Sequence, residues 1–268
     1  MKINQLKAIL VFDIDGVVRD VGGSYRRALA DTVEKFTESA FRPTMSAIDE
    51  LKSEGIWNND WEASQELAYR YRESQGQTRT ENVLDYQAIV DFFQSRYRGS
   101  DPKNFDGYIR NEPLLISANY LNQLREHNIG WGFFSGATRG SAKYVLNHRL
   151  GLNEPVLVAM EDAPSKPNPE GLFNAVSQIL ATENQVSQPP VIYVGDTVAD
   201  IQTAIAASEA RPSHKWLGVG VLPPHAQNDP LTQAKYQAKL EKTGAISVCG
   251  NVEELSPEKI FSLIAAKT

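Results

Sequence analysis

The sequence predicts an α/β protein: a parallel sheet flanked by helices and interrupted, directly after its first strand, by an all-helical insertion. Three observations carry that prediction. The chain opens with an unbroken apolar run, Ala8 to Phe12, of the kind found in strands covered on both faces. Residues 21–105 then show helical periodicity with no competing strand signal. From about residue 114 onward, short apolar runs alternate with amphipathic stretches of ten or more residues, the pattern of βαβ crossovers.

Each element follows in order. The first strand ends in "DIDG", where Asp13 and Asp15 share one side of the strand unless the chain turns first, and Gly16 supplies a turn. In the insertion, Tyr25, Ala28, Leu29, Val33 and Phe36 recur at helical spacing, as do Ile48 with Leu51, and later Leu84, Ile89, Val90, Phe93 and Tyr97. The helix "SANYLNQLREHN" then precedes the strand "IGWGFFS", and "RGSAKYVLNHRL" precedes "PVLVAM". In the same way "PEGLFNAVSQIL" precedes "VIYVG", and "TVADIQTAIAAS" precedes "WLGVGV". A helix near 226–242, the strand "AISVC" and the helix "SPEKIFSLIAAK" close the chain. Residues 1–20 and 106–268 are thus assigned to the α/β core and 21–105 to the helical insertion, which reads as a lid, or as added core or an oligomer contact.

Of the 268 residues, 41% are hydrophobic and 22% charged, the composition of a folded globular chain. The formal net charge of -6, with no cluster of Lys and Arg, argues against a nucleic-acid surface and leaves a small molecule as the expected partner. Cys249 is the single cysteine, so an intrachain disulfide and a cysteine-based zinc site are excluded. His127, His148, His214 and His225 are scattered without metal-ligand spacing. The N-terminal apolar run is too short for a signal-peptide core or a bilayer span, so no membrane is expected and the cytoplasm is the expected location. Monomer and homodimer stay undecided.

In open α/β sheets, ligands bind beyond the carboxyl ends of the strands. The residues there are Asp13 and Asp15 after the first strand, Ser135 and Gly136 in "WGFFSGATRG", Lys166 in "SKPNPEG", and Asp196 and Asp200 in "GDTVAD". Two neighbouring carboxylates repel, and the pair persists near a core only with a cation or another partner to offset the charge. Each stretch also has a plain reading: "SG" as a turn, Asn168 or Pro169 as a helix start, Thr197 as a helix cap. Their occurrence in this order, each after its own strand, favours a shared site.

The set "DIDGV" at 13–17, Ser135, Lys166 and "GDTVAD" at 195–200 resembles the four motifs of the haloacid dehalogenase superfamily over nearly the whole chain. About 120 residues separate Asp15 from Ser135, which is similar to subfamily I, the phosphoglycolate phosphatase-like branch with a helical C1-type cap after the first motif. The roughly 30 residues between Ser135 and Lys166 leave no room for the larger cap of other branches. The resemblance implies a Rossmann-like core whose first strand neighbours the one ending at Asp196, where strand order reverses.

It also implies a chemistry. Asp13 would attack a phosphate ester to form an aspartyl-phosphate, and Asp15 would protonate the leaving alcohol and then activate water. Mg²⁺ would sit on Asp13, the Asp15 backbone carbonyl and Asp196, with Asp200 supporting it through water or a hydrogen bond. Lys166 would neutralise nucleophile and phosphate, and the Ser135 hydroxyl and Gly136 amide would bind phosphate oxygens. The cap would exclude water and choose the leaving group, with Trp57, Asn58 and Asn59 of "GIWNNDWE" either gripping a polar metabolite or connecting two helices. Arg19 would meet an anionic part of the substrate, or pair with an acid. Val17 stands where many relatives have Thr, and Gly136-Ala137 replaces the usual polar pair after Ser135.

The expected function is a Mg²⁺-dependent phosphatase of a small phosphorylated metabolite. Sugar phosphates, phosphoglycolate and amino-alcohol phosphates such as histidinol phosphate all suit it. A phosphomutase and a catalytically inactive binding module are the alternatives. Dehalogenation of a 2-haloacid needs neither the acid Asp15 nor the carboxylates of "GDTVAD".

Overall fold

A computed structural model describes residues 5–57, 59–101 and 104–266. Asn58, one of the expected substrate-binding residues, lies outside them. The chain packs as two units, Met1–Asp20 with Pro113–Thr268, and Val21–Glu112.

The first unit opens with β1 (Ala8–Phe12), buried along its whole length as its unbroken apolar run requires. The second unit then supplies α1 (Tyr25–Phe36), α2 (Met45–Ser53), α3 (Asp60–Ser74) and α4 (Tyr86–Tyr97). Within it, Tyr25, Ala28, Leu29 and Val33 of α1 are buried, and the Tyr25 ring lies 4.1 Å from that of Tyr97 and 5.4 Å from that of Phe93. A 3-10 turn, Tyr108–Asn111, packs on α1 and α4. Its Tyr108 hydroxyl donates to Asp31 at 2.6 Å, which explains why the unit ends at Glu112 and not at residue 105.

The first unit resumes with α5 (Ala118–Glu126), β2 (Ile129–Phe134), α6 (Arg139–Lys143) running into a π-helical turn (Tyr144–Arg149), and the two-residue β3 (Leu157–Val158). It continues with α7 (Glu170–Thr182), β4 (Val191–Gly195), α8 (Val198–Ala210) and β5 (Trp216–Val221). The last elements are α9 (Pro230–Thr243), β6 (Ser247–Cys249) and α10 (Pro257–Ala266). The helix expected near 226 begins at Pro230 because Asp229 accepts from the backbone N–H groups of Leu231 and Thr232, while Pro224–Gln227 forms a separate 3-10 turn. No helix among the described residues is long and apolar enough to cross a membrane.

The six strands form one parallel sheet in the order β3-β2-β1-β4-β5-β6. On one face Ile9, Val11, Val191 and Tyr193 pack with Leu172 and Val176 of α7 and with Ala204 and Ala207 of α8. Elsewhere in the sheet the Phe12 and Phe133 rings meet at 6.1 Å, and Trp131 Nε1 donates to the Leu121 carbonyl of α5 at 2.9 Å. Strand order reverses between β1 and β4, which pair from Ile9 with Val191 to Phe12 with Val194. The crossovers leave these two strands in opposite directions, so a crevice opens at their carboxyl ends.

Candidate active site

The residues at that crevice follow from the ends of the strands. Directly after β1, the Asp13 N–H donates to the Val194 carbonyl at 2.8 Å, so Asp13 keeps to the sheet for one residue beyond the strand. The chain then turns: the Ile14 carbonyl accepts from Val18 N at 2.8 Å and from Arg19 N at 3.1 Å, and Gly16 takes φ +77°. A Cβ on Gly16 would stand 2.1 Å from Asp196 Oδ2, so both the backbone angle and the approach of Asp196 require glycine.

At the end of β4, Asp196 follows Gly195, and α8 starts in a capping box. Asp200 N donates to Thr197 Oγ1 at 3.3 Å, and Thr197 N and Oγ1 return to Asp200 Oδ2 at 2.9 and 2.6 Å. The cap therefore aims Asp200 while leaving Oδ1 free for the centre of the site. There Lys166 Nζ donates to Asp200 Oδ1 at 2.6 Å and lies 2.9 Å from Asp13 Oδ1. Lys166 arrives on the loop between β3 and α7, where the Asn168 side chain accepts from Glu170 N at the start of α7.

Carboxylate oxygens of Asp13, Asp196 and Asp200 all lie within 4.8 Å of one another. Three carboxylates against one ammonium leave excess negative charge in a buried place. Burial pushes the Asp13 carboxyl up to about 7, against the pull of Lys166 and reinforced by Asp200 and Asp15. Burial also raises Asp196 well above its usual range, with the charges of Asp200 and Asp13 adding to it. Burial opposes the charge on Lys166, but Asp13 and Asp200 outweigh it and hold the ammonium well above its ordinary value. Such a set suits a hard divalent cation, which takes oxygen ligands and offsets the charge.

Ser135 follows β2, on the other side of β1 from β4. It is buried, its N–H donates to the Val158 carbonyl at 3.0 Å, and its Oγ accepts from Ala137 N at 3.1 Å. Gly136 is exposed, and a Cβ there would meet nothing within 4 Å, so its amide borders open space.

The structure thus gathers Asp13, Lys166, Asp196 and Asp200 in the first unit, with Asp15 on the turn after β1 and Ser135 and Gly136 on the loop after the neighbouring β2. Arg19 is fully buried, with Nε donating to Asp15 Oδ1 at 2.7 Å. Trp57 and Asn59 belong to the helical unit. Trp57 Nε1 donates to Glu54 at 2.8 Å, and the Asn59 side chain accepts from Trp61 N at 2.9 Å as the cap of α3. Sequence reasoning overlooked Tyr193, whose buried hydroxyl lies 3.0 Å from the Phe134 carbonyl and 3.1 Å from Asp200 Oδ1. Lys166 Nζ lies 5.5 Å from the centres of both the Phe134 and Tyr193 rings. The available signal was a tyrosine inside the apolar run "VIYVG", since a buried phenol needs a partner.

Solved structures share this fold. A phosphonoacetaldehyde hydrolase-like protein from Oleispira antarctica matches with a TM-score of 0.64 at 15% identity, over 97% of this chain and 93% of that one. Phosphatase Tt82 from Thermococcus thioreducens matches at 0.57 and 21% identity, over 85% of this chain and 98% of that one. CbbY from Rhodobacter sphaeroides, solved with phosphate, matches at 0.57 and 15%, over 94% and 96%. An imidazoleglycerol-phosphate dehydratase of Phytophthora nicotianae is 31% identical over 241 residues, 88% of this chain but only 48% of that protein. The chain therefore spans about half the length of the curated relative it matches. The model of the haloacid dehalogenase-like hydrolases matches residues 7–208, from β1 through the Asp13, Lys166, Asp196 and Asp200 cluster into α8, and the chain belongs to that family.

Proposed function

We propose that the protein is a Mg²⁺-dependent phosphomonoester hydrolase that works through an aspartyl-phosphate on Asp13. The observation that carries this reading is the contact of Asp13 with Lys166, at 2.9 Å, inside a cluster of three carboxylates at the switch point of the sheet. A buried carboxylate with an ammonium on one oxygen is fixed in place and has its charge partly offset, as a nucleophile toward a phosphate requires.

Asp13, Asp196 and the Asp15 backbone carbonyl would hold the cation, with Asp200 behind them. When bound, Mg²⁺ supplies charge neutralisation between the carboxylates and an incoming phosphate dianion. The protein's own groups do the rest. Lys166 and the Ser135 and Gly136 donors orient the phosphate, Asp13 attacks phosphorus, and Asp15 gives a proton to the leaving alcohol. Asp15 then takes a proton from the water that cleaves the acyl-phosphate. Tyr193 and Thr197 keep Asp200, and through it Lys166, in register.

The substrate is a small phosphorylated metabolite. The Phytophthora relative favours one group of esters. Its name denotes an enzyme of an imidazole-bearing phosphoester, and this chain resembles about half of it. Histidinol phosphate, which joins an imidazole, an amine and a phosphomonoester, therefore leads the panel over sugar phosphates and phosphoglycolate. Phosphate release from that panel, with Mg²⁺ and with chelator, tests the reading. Release that needs Mg²⁺ supports it, and conversion of a sugar 1-phosphate to its 6-phosphate without free phosphate would replace it by a mutase.

A further inference from the structure

The partner of Asp15 is a feature that the reaction scheme leaves unused. Arg19 is completely buried, its Nε donates to Asp15 Oδ1 at 2.7 Å, and its Nη2 stands 2.6 Å from the same oxygen. Both contacts fall on Oδ1, and the Asp15 side chain keeps 30% of its surface open. The guanidinium therefore occupies one carboxylate oxygen and leaves the other.

The loop that carries Arg19 is pinned at both ends. The Arg19 carbonyl accepts from Gly16 N at 2.9 Å, and Arg19 forms backbone bridges to Asp15 on one side and to Leu114 on the other. Beside it, Asp20 N donates to the Pro113 carbonyl at 2.9 Å and Leu115 N to the Val18 carbonyl at 2.8 Å. Asp20 and Pro113, the first-unit residues that flank the insertion in the chain, are thus bonded to each other next to Arg19 in the sequence. Burying an arginine is costly, and an apolar side chain of similar size would serve packing at least as well. The Arg19 charge meets a carboxylate of the site, Asp15.

We propose that Arg19 is a positioning residue for Asp15, fixing Oδ1 so that Oδ2 is the oxygen that exchanges the proton. The proposal rests on the acid–base role of Asp15 given above. As the Asp13 oxygen bonds to phosphorus and the phosphorus–alcohol bond breaks, the Oδ2 proton passes to the departing alkoxide. As water attacks phosphorus and the Asp13–phosphorus bond breaks, Oδ2 takes the water proton back. A guanidinium on Oδ1 is compatible with both forms, because Oδ1 remains an acceptor whether or not Oδ2 carries a proton. The charge-assisted hydrogen bond from Nε, with Nη2 close to the same oxygen, limits rotation of the carboxylate, and so the direction in which Oδ2 points.

The test compares an alkyl phosphate, whose alkoxide must be protonated, with p-nitrophenyl phosphate, whose phenolate leaves without an acid. In Arg19→Met the ratio of kcat/KM for the alkyl ester to that for the aryl ester falls on the order of 10- to 100-fold, less than the full effect of a positioned acid because Asp15 is still present. Asp15→Asn lowers the same ratio, and adding Arg19→Met to Asp15→Asn lowers it no further. Arg19→Lys, which keeps a donor for Oδ1, restores part of the ratio and is the variant to read if Arg19→Met does not fold. Equal losses on both esters in either variant, or a full extra loss in the double variant, would overturn the proposal while leaving the phosphatase reading intact. A wild-type protein that turns over neither ester with Mg²⁺ would overturn both.

Discussion

A carboxylate such as Asp13, buried beside two others, keeps its charge only as far as its neighbours offset it. Its folded-state value of about 7 lies above the ordinary 3.8, so the folded protein holds that proton more tightly than the unfolded chain does. Its contribution to stability is therefore fully present below about pH 4 and is lost as pH rises through 7. In chelator, the Tm of Asp13→Asn minus that of the wild type is expected to grow from pH 4 to 7 and level off above. The effect is worth up to about 4 kcal/mol; a difference that is flat or falls with pH in thermal melts would contradict the assignment. The places of Asp13, Asp15, Ser135 and Asp196 just after their strands, of Lys166 on the loop before α7 and of Asp200 in the first turn of α8 were legible because the motifs occur in the order of the strands. For Arg19 the sequence left open a substrate contact or a pair with an acid, and the structure shows the acid, Asp15; the Tyr193 contact with Asp200 was not legible, since it depends on a distance across the site that spacing does not encode.

At the scale of elements, two short devices set the site. The Thr197 hydroxyl both caps α8 and holds Asp200 Oδ2. Thr197→Ala is expected to destabilise the protein by about 1 kcal/mol in denaturant melts. It is also expected to weaken Mg²⁺ binding, because Asp200 loses the bond that aims it. The turn at Gly16 is the second device. Gly16→Ala drives a methyl group into Asp196 at a φ that alanine resists, so metal affinity and turnover should fall together. Calorimetric titration of that variant with Mg²⁺ checks this, and wild-type affinity would refute it. Strands and helices were readable from periodicity and flanking turns. The start of α9 was not, because Asp229 and Pro230 outweigh the apolar pattern upstream, nor was the return to the first unit, which depends on Tyr108 bonding Asp31.

At the scale of the whole molecule, a six-stranded sheet gathers charges from three connections into one crevice, and the excess negative charge sets the response to a cation. Mg²⁺ at a hundred times its Kd is expected to stabilise the wild type by about 2.7 kcal/mol. The gain should be larger at pH 8 than at pH 5.5, since binding displaces protons from the carboxylates. Asp196→Ala should lose most of it in the same melts. The fold class and the place of the insertion could be read from the order of elements, but the substrate could not, because spacing along the chain does not encode which side chains would meet the part of an ester beyond its phosphate. The measurement that bears most directly on the account is mass spectrometry of the protein acid-quenched during turnover of a phosphate ester with Mg²⁺. The account predicts one phosphoryl group on the peptide that contains Asp13, absent from Asp13→Asn. Release of alcohol and phosphate at full rate by Asp13→Asn, with no phosphoryl group on that peptide, would contradict it.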